Sequence, residues 1–210
     1  GNVTPILKNI NLEVEAGEWL GIVGKVGSGK STLLKMFTRL LDTPQGTLFL
    51  DGCEVEAYPL NQIRKDVALV LQDSFLFDEP IFSNISYDNP DRNIGEVWQA
   101  ADSARIGESI ERFPLKMQTV VGERGVTLSG GQKQRTALAR GFVREAAILI
   151  LDDCFSSVDT ETEEHILGQL KALRANKTTI MVSHRISTLR HADKLIFMEG
   201  GAIKEFGTHR

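Results

Sequence analysis

The sequence predicts an α/β fold: a core of alternating strands and helices that carries a small inserted helical lobe. Three observations predict it. Apolar runs of strand length recur at residues 19–23, 67–71, 147–151 and 178–182. Helical apolar stripes separate the runs, as alternation around a parallel sheet requires. Between about Ser74 and Gly130 strand character disappears, which marks the insertion.

Each element has its own local reason. Ile10, Leu12 and Val14 alternate with polar residues and read as a first strand, ended by the Ala16-Gly17 turn. Residues 19–23 form an apolar run that suits a strand buried on both faces. A glycine-rich loop follows, then a helical stripe of Leu33, Leu34, Phe37, Leu40 and Leu41, broken by Pro44-Gln45-Gly46. Residues 47–50 read as a strand with a turn at Asp51-Gly52, and 67–71 as another. Within the insertion, 93–112 read as helical, with Val97, Ala100, Ala101 and Ala104 on one stripe. A helix begins near Gly131, 147–151 is a strand, about 160–173 a helix, and 178–182 a strand. Residues 194–198 and 202–206 flank Gly200-Gly201 and read as a hairpin.

Composition bounds the function. The 210 residues are 41% hydrophobic and 25% charged, enough for one domain with a true core and unlike a disordered chain. A net charge of −4 and a pI of about 5.6 provide no basic field for nucleic acid. Cys53 and Cys154 make neither a disulfide framework nor a metal-ligand spacing, which suits a reducing compartment. No apolar run approaches the roughly 18–20 residues that span a bilayer, and the first residues lack signal-peptide character. The expectation is a soluble, cytosol-facing domain.

Gly24-Lys25-Val26-Gly27-Ser28-Gly29-Lys30-Ser31 fits the pattern G-x-x-x-x-G-K-[ST], after an apolar strand and before a helix. Such glycines let backbone N–H groups turn inward around phosphate oxygens, and the helix N-terminus adds partial positive charge. Lys30 would reach the β- and γ-phosphates, and the Ser31 hydroxyl would ligate Mg²⁺. This predicts a nucleoside-triphosphate site and leaves the reaction open. The strand 148–151 ends in Asp152-Asp153. Beside a phosphate loop, Asp152 would hold Mg²⁺ and Asp153 would polarise an attacking water. Leu128-Ser129-Gly130-Gly131-Gln132 precedes a basic helix, and two readings stand: a capped helix with a flexible turn, or N–H groups presented to an anion.

With L-S-G-G-Q upstream of I-L-I-L-D, and a phosphate loop before both, the chain resembles the nucleotide-binding domain of an ATP-binding-cassette (ABC) transporter over essentially its whole length. Further motifs stand in the family's order: Gln72 at the Q-loop, Ser156-Ser157-Val158-Asp159 at the D-loop, and His184 at the switch histidine. Val121-Gly122-Glu123-Arg124-Gly125 resembles the X-loop of exporters, and 186–190 looks exporter-like too. The resemblance implies a phosphate-loop NTPase (RecA-like) core with an antiparallel β subdomain, at 1–73 and 131–210, and an inserted α-helical subdomain at about 74–130. It implies ATP and Mg²⁺ as ligands. Gly24, Lys25, Gly27, Ser28, Gly29, Lys30, Ser31 and Thr32 would bind nucleotide. Ser31, Gln72 and Asp152 would serve the metal. Ser129, Gly130, Gly131, Gln132 and Asp159 would face the nucleotide of a second, identical or different domain that closes head-to-tail. Gln72 would also sense a transmembrane domain, expected in the same full-length chain at the cytoplasmic face of a membrane. His184 would contact the γ-phosphate, while His165, His191 and His209 are expected at the surface. Phe75, Leu76 and Phe77 are candidate contacts for membrane helices.

Two departures matter. Most active members have Glu where this chain has Asp153, one methylene shorter, so the carboxylate would fall about 1 Å short and cost roughly a hundredfold in rate. The substitution resembles the weak-site subunit of heterodimeric exporters, whose intact L-S-G-G-Q serves the partner's site. Residues 1–18 contain no aromatic residue to stack on adenine, so that residue is expected before Gly1 and the chain is expected to be an excised domain. The rival readings are an ATP-gated regulatory module with little turnover and a non-transport ABC ATPase. The second is disfavoured because only 57 positions separate Gln72 from Ser129, without heptads or Cys clusters.

Overall fold

The computed structural model describes residues 5–122 and 125–208. Glu123, Arg124 and His209 lie outside the described residues, as does any position before Gly1. The element order is β1 (Trp19–Gly24), α1 (Lys30–Phe37), β2 (Phe49–Leu50), β3 (Cys53–Glu54), α2 (Leu60–Asp66), β4 (Val67–Val70), α3 (Ile81–Ile85), α4 (Ile94–Ser103), α5 (Gly107–Glu111), α6 (Gly130–Phe142), β5 (Ile148–Asp152), α7 (Thr160–Leu173), β6 (Thr178–Val182), α8 (Ile186–Leu189), β7 (Lys194–Glu199) and β8 (Ala202–Gly207).

Six strands form one sheet in the order β4-β5-β6-β1-β7-β8, and β2 and β3 form a separate antiparallel hairpin. β1 pairs in parallel with β6 and β7, β5 pairs in parallel with β6, and only the β7–β8 hairpin is antiparallel among these registers. The central strands are apolar on both faces because both faces are covered. Leu20, Ile22, Leu149, Ile150 and Leu151 are all buried, each worth about 1.5–3 kcal/mol in water removed. Leu20, Ile22 and Ile150 belong to a core that also holds Leu33 and Leu34 of α1 and Ile63 of α2.

Contacts divide the chain into two compact units: 1–69, 146–152 and 176–210, and 70–145 with 153–175. The first holds nearly the whole sheet. The second is helical and takes in α6 and α7 together with the stretch inserted after β4. The division passes between Asp152 and Asp153.

Three expected elements differ. The stripe through Leu40 and Leu41 overruns α1, which ends at Phe37; Arg39 takes a left-handed φ of 51°, and Leu40 and Leu41 are exposed. Ile10, Leu12 and Val14 form no strand among the described residues. Their apolar side chains pack on the sheet core, so the alternation reports one buried face rather than strand pairing. The backbone here is held by isolated bonds, such as Lys194 Nζ donating to the Glu13 carbonyl at 2.7 Å. The helix expected over 93–112 is split into α4 and α5. Arg105 between them adopts a left-handed conformation, φ 56°, which no continuous helix accommodates. The stripe itself stands: Val97, Ala100, Ala101 and Ala104 are buried.

The helical unit is organised around Asn84, whose side chain is 0% exposed. Its Oδ1 accepts the Phe77 N–H and an Arg140 Nη2–H, and its Nδ2 donates to the carbonyls of Phe77, Glu79 and Pro80. Arg140 adds bonds to the carbonyls of Asn84 and Phe75 and lies over the Phe77 ring at 5.6 Å. Asn84→Ala strands several buried donors and acceptors at once. Denaturant unfolding is expected to show a loss of about 2–4 kcal/mol, and a change below about 0.5 kcal/mol would show that the network carries little.

Candidate nucleotide site

The parallel register brings three strand ends to one edge. Ile22 pairs with Val182, and Val182 pairs with Asp152. The glycine-rich loop leaves this edge after β1, Asp152 ends β5, and His184 follows β6 by two residues. Ligands of parallel α/β sheets bind at the carboxyl ends of the strands. All three features lie in the first unit.

The loop from Gly24 to Ser31 then enters α1. Gly29 caps the helix at φ 99°, a conformation that disfavours any side chain, and a Cβ there would meet Leu7 Cδ2 at 2.7 Å. Lys30 is buried, and its Nζ donates to the carbonyls of Gly24 and Lys25 at 2.6 and 3.0 Å. Its charge is therefore held inside the loop's curve. Ser28 Oγ is buried without a hydrogen-bond partner among the described residues. An orphaned hydroxyl in a loop of this kind fits an anion better than a dry core. Ser31 is exposed and Thr32 half-buried in the first turn of α1, where the helix dipole favours negative charge. Lys25 and Gly27 are exposed. The residues present thus fit a phosphate chain, and Ser31 and Asp152 supply oxygen donors of the kind Mg²⁺ prefers.

His184 is exposed on a turn that Ser183 shapes: Ser183 Oγ accepts the Arg185 N–H at 3.0 Å and bonds the Thr188 hydroxyl at 3.0 Å. One contributor was not legible as such. The Gly200-Gly201 turn reads only as a hairpin, yet the Gly201 N–H donates to the Ser28 carbonyl at 3.2 Å and its carbonyl accepts the Lys8 N–H. The hairpin therefore braces the phosphate loop. Only a bond between positions far apart in sequence carries that information.

The other candidates lie in the second unit. Gln72 is exposed just after β4. Ser129 caps α6 in a full capping box: its Oγ accepts the Gln132 N–H, and Gln132 Oε1 accepts the Ser129 N–H. Ser129 and Gly130 are exposed and Gly131 is half-buried, so the helix N-terminus is presented outward as well as capped. The helix cap of the first reading is therefore present. Asp153 is half-buried with φ 44°, a left-handed conformation that Asp tolerates better than most residues. Asp159 is the N-cap of α7, accepting the Thr162 N–H at 2.9 Å. His165 is exposed, as expected, whereas His191, in the first unit, is half-buried rather than fully at the surface.

The cap bond from Thr162 and the nearby Arg135 charge hold the Asp159 carboxyl below the usual carboxylate range. A lowered value stabilises the fold above the unfolded value of about 3.9, and the contribution is lost as pH falls through the folded value. Asp159→Asn should flatten the acid limb of an unfolding-versus-pH curve below about pH 4 and leave neutral pH little changed. An acid limb as steep as that of the unaltered chain would show that the cap is not linked to protons.

A parallel α/β sheet with a glycine-rich loop feeding α1 and an acid at the end of β5 defines a phosphate-loop NTPase domain. A family model described as ABC transporter matches residues 7–156. The chain belongs to the ABC transporter family. It is 45% identical over 204 residues, 97% of its length, to YgaD of Bacillus subtilis strain 168, an ATP-binding/permease protein named for multidrug export. It is 43% identical over 207 residues, 98% of its length, to an ATP-dependent lipid A-core flippase of Idiomarina loihiensis. It covers only 35% and 36% of those two relatives. Among solved structures, a bacterial Atm1-family ABC exporter with ATP bound matches with a TM-score of 0.92 and 39% identity, over 97% of this chain and 36% of that one. The architecture and family expected from the motifs are thus borne out.

Proposed function

We propose that the chain is the ATP-binding and ATP-hydrolysing motor domain of an ABC exporter. It pairs head-to-tail with a second such domain, identical or different, and works beneath a transmembrane domain at the cytoplasmic face of a membrane. Among the described residues no helix is long and apolar enough to cross a membrane, so on this reading the spans belong to a separate domain. The observation that carries the proposal is the single sheet edge holding the phosphate loop, Asp152 and His184. The names of the relatives, for export and lipid flipping, support the transport reading.

The mechanism follows from charge and position. Lys30 and the N-terminus of α1 neutralise the phosphate chain. Ser31 and Asp152, with Gln72, would hold Mg²⁺, which when bound screens charge on the phosphates. His184 orients the terminal phosphate, and Asp153 draws a proton from the attacking water. Ser129, Gly130, Gly131, Gln132 and Asp159 complete the site bound to the partner domain. Closure on ATP would move the membrane helices, and hydrolysis would release the clamp. A second reading is favoured by one observation, Asp153 in place of Glu: a module that closes on ATP with little turnover, or the weak-site half of a heterodimer. Steady-state phosphate release by the full-length transporter decides. Sustained release stimulated by transport substrate supports the motor, and ATP binding without release supports the regulatory module.

A further inference from the structure

Two stretches of the helical unit are joined by one side chain. Gln134 lies in the second turn of α6 and is 5% exposed. Its Nε2 donates to Ser156 Oγ at 2.7 Å, and its Oε1 accepts the Ser157 N–H at 2.7 Å. Both ends of one buried amide are thus used by a segment 22 and 23 positions away. The backbones also approach closely: a Cβ on Gly131 would meet the Ser157 carbonyl oxygen at 2.9 Å, so only glycine fits without a shift. A Leu of similar volume would fill the same space, so packing alone does not explain an amide here. What the amide adds is register, because it accepts and donates only when 156–157 sits at one height along α6.

We propose that Gln134 is a positioning residue that locks the glycine N-terminus of α6 and residues 156–159 into one block. The block then presents Ser129, Gly130, Gly131 and Asp159 to the partner domain's nucleotide as a unit. The proposal rests on the motor reading above. It separates two quantities that a purely structural role would move together. Lys30 and its loop belong to the first unit, so a domain's own affinity for nucleotide is left alone. The rate of the completed site depends on the block, and displacement of such a group by about 1 Å costs up to roughly a hundredfold.

The test uses the full-length transporter. Affinity is read with a fluorescent trinitrophenyl-ATP, and turnover by phosphate release. Gln134→Leu is expected to leave affinity within about twofold and to lower kcat roughly ten- to a hundredfold. Ser156→Ala removes one of the two bonds at an exposed position, keeps the test intact if the Leu variant folds poorly, and should lower kcat by a smaller factor. An unchanged kcat in both variants, or affinity and kcat falling together, overturns the proposal. No turnover in the unaltered transporter overturns the motor reading itself, and this proposal with it.

Discussion

Lys30→Ala is expected to abolish tight ATP binding. The ammonium sits within the curve of the loop on two backbone carbonyls, buried and ready to exchange those neutral acceptors for charged phosphate oxygens. Charge-assisted bonds are about twice as strong as neutral ones. Truncating one partner of a buried, hydrogen-bonded charge pair costs about 2–5 kcal/mol, roughly thirty- to several-thousandfold in affinity. Calorimetric titration of ATP with Mg²⁺ reads the loss. The same substitution removes the two internal bonds that hold the loop's shape, so a thermal melt should accompany it. A lowered melting temperature with unchanged affinity would assign Lys30 to the loop's architecture alone and would refute its phosphate role.

Asp153→Glu is expected to act in the opposite direction, raising phosphate release by the assembled dimer roughly ten- to a hundredfold. On the short-carboxylate reading, the extra methylene would carry the carboxylate toward a water that Asp would leave about 1 Å out of reach. The backbone sets a limit on the gain. Position 153 has φ 44°, where Asp is over-represented and a longer side chain is less at ease. A small fall in melting temperature should accompany the faster turnover. Phosphate release that does not rise would sink the short-carboxylate explanation and favour the regulatory reading.

Much of this was legible in the sequence because the signals were local. β6 and α7 fall where periodicity and flanking turns place them, since a buried parallel strand and a capped amphipathic helix each carry their own pattern. The glycine-rich loop and Asp152 were legible for the same reason. Non-local bonds were not. The Ile10–Val14 alternation records burial of one face, and nothing in it says whether a neighbouring strand is present. Arg105 breaks a helix without Gly or Pro, and Arg135 donates to its carbonyl at 2.7 Å from 30 positions away. Gln134 looks like any polar residue of a basic helix until the fold brings residues 156 and 157 alongside it.

The brace at Gly201 bears on how the domain can be handled. Among the described residues two β-hairpin turns contain glycine, at Asp51-Gly52 and Gly200-Gly201, and both invite an affinity tag or a dye. At Gly52 the space around a Cβ is open for 4 Å, whereas at Gly201 a Cβ would meet the Ile6 carbonyl oxygen at 1.9 Å, beside the bond to Ser28. Cargo grafted onto the first turn starts from an exposed position with open space beside it. Cargo grafted onto the second presses on the nucleotide loop from behind.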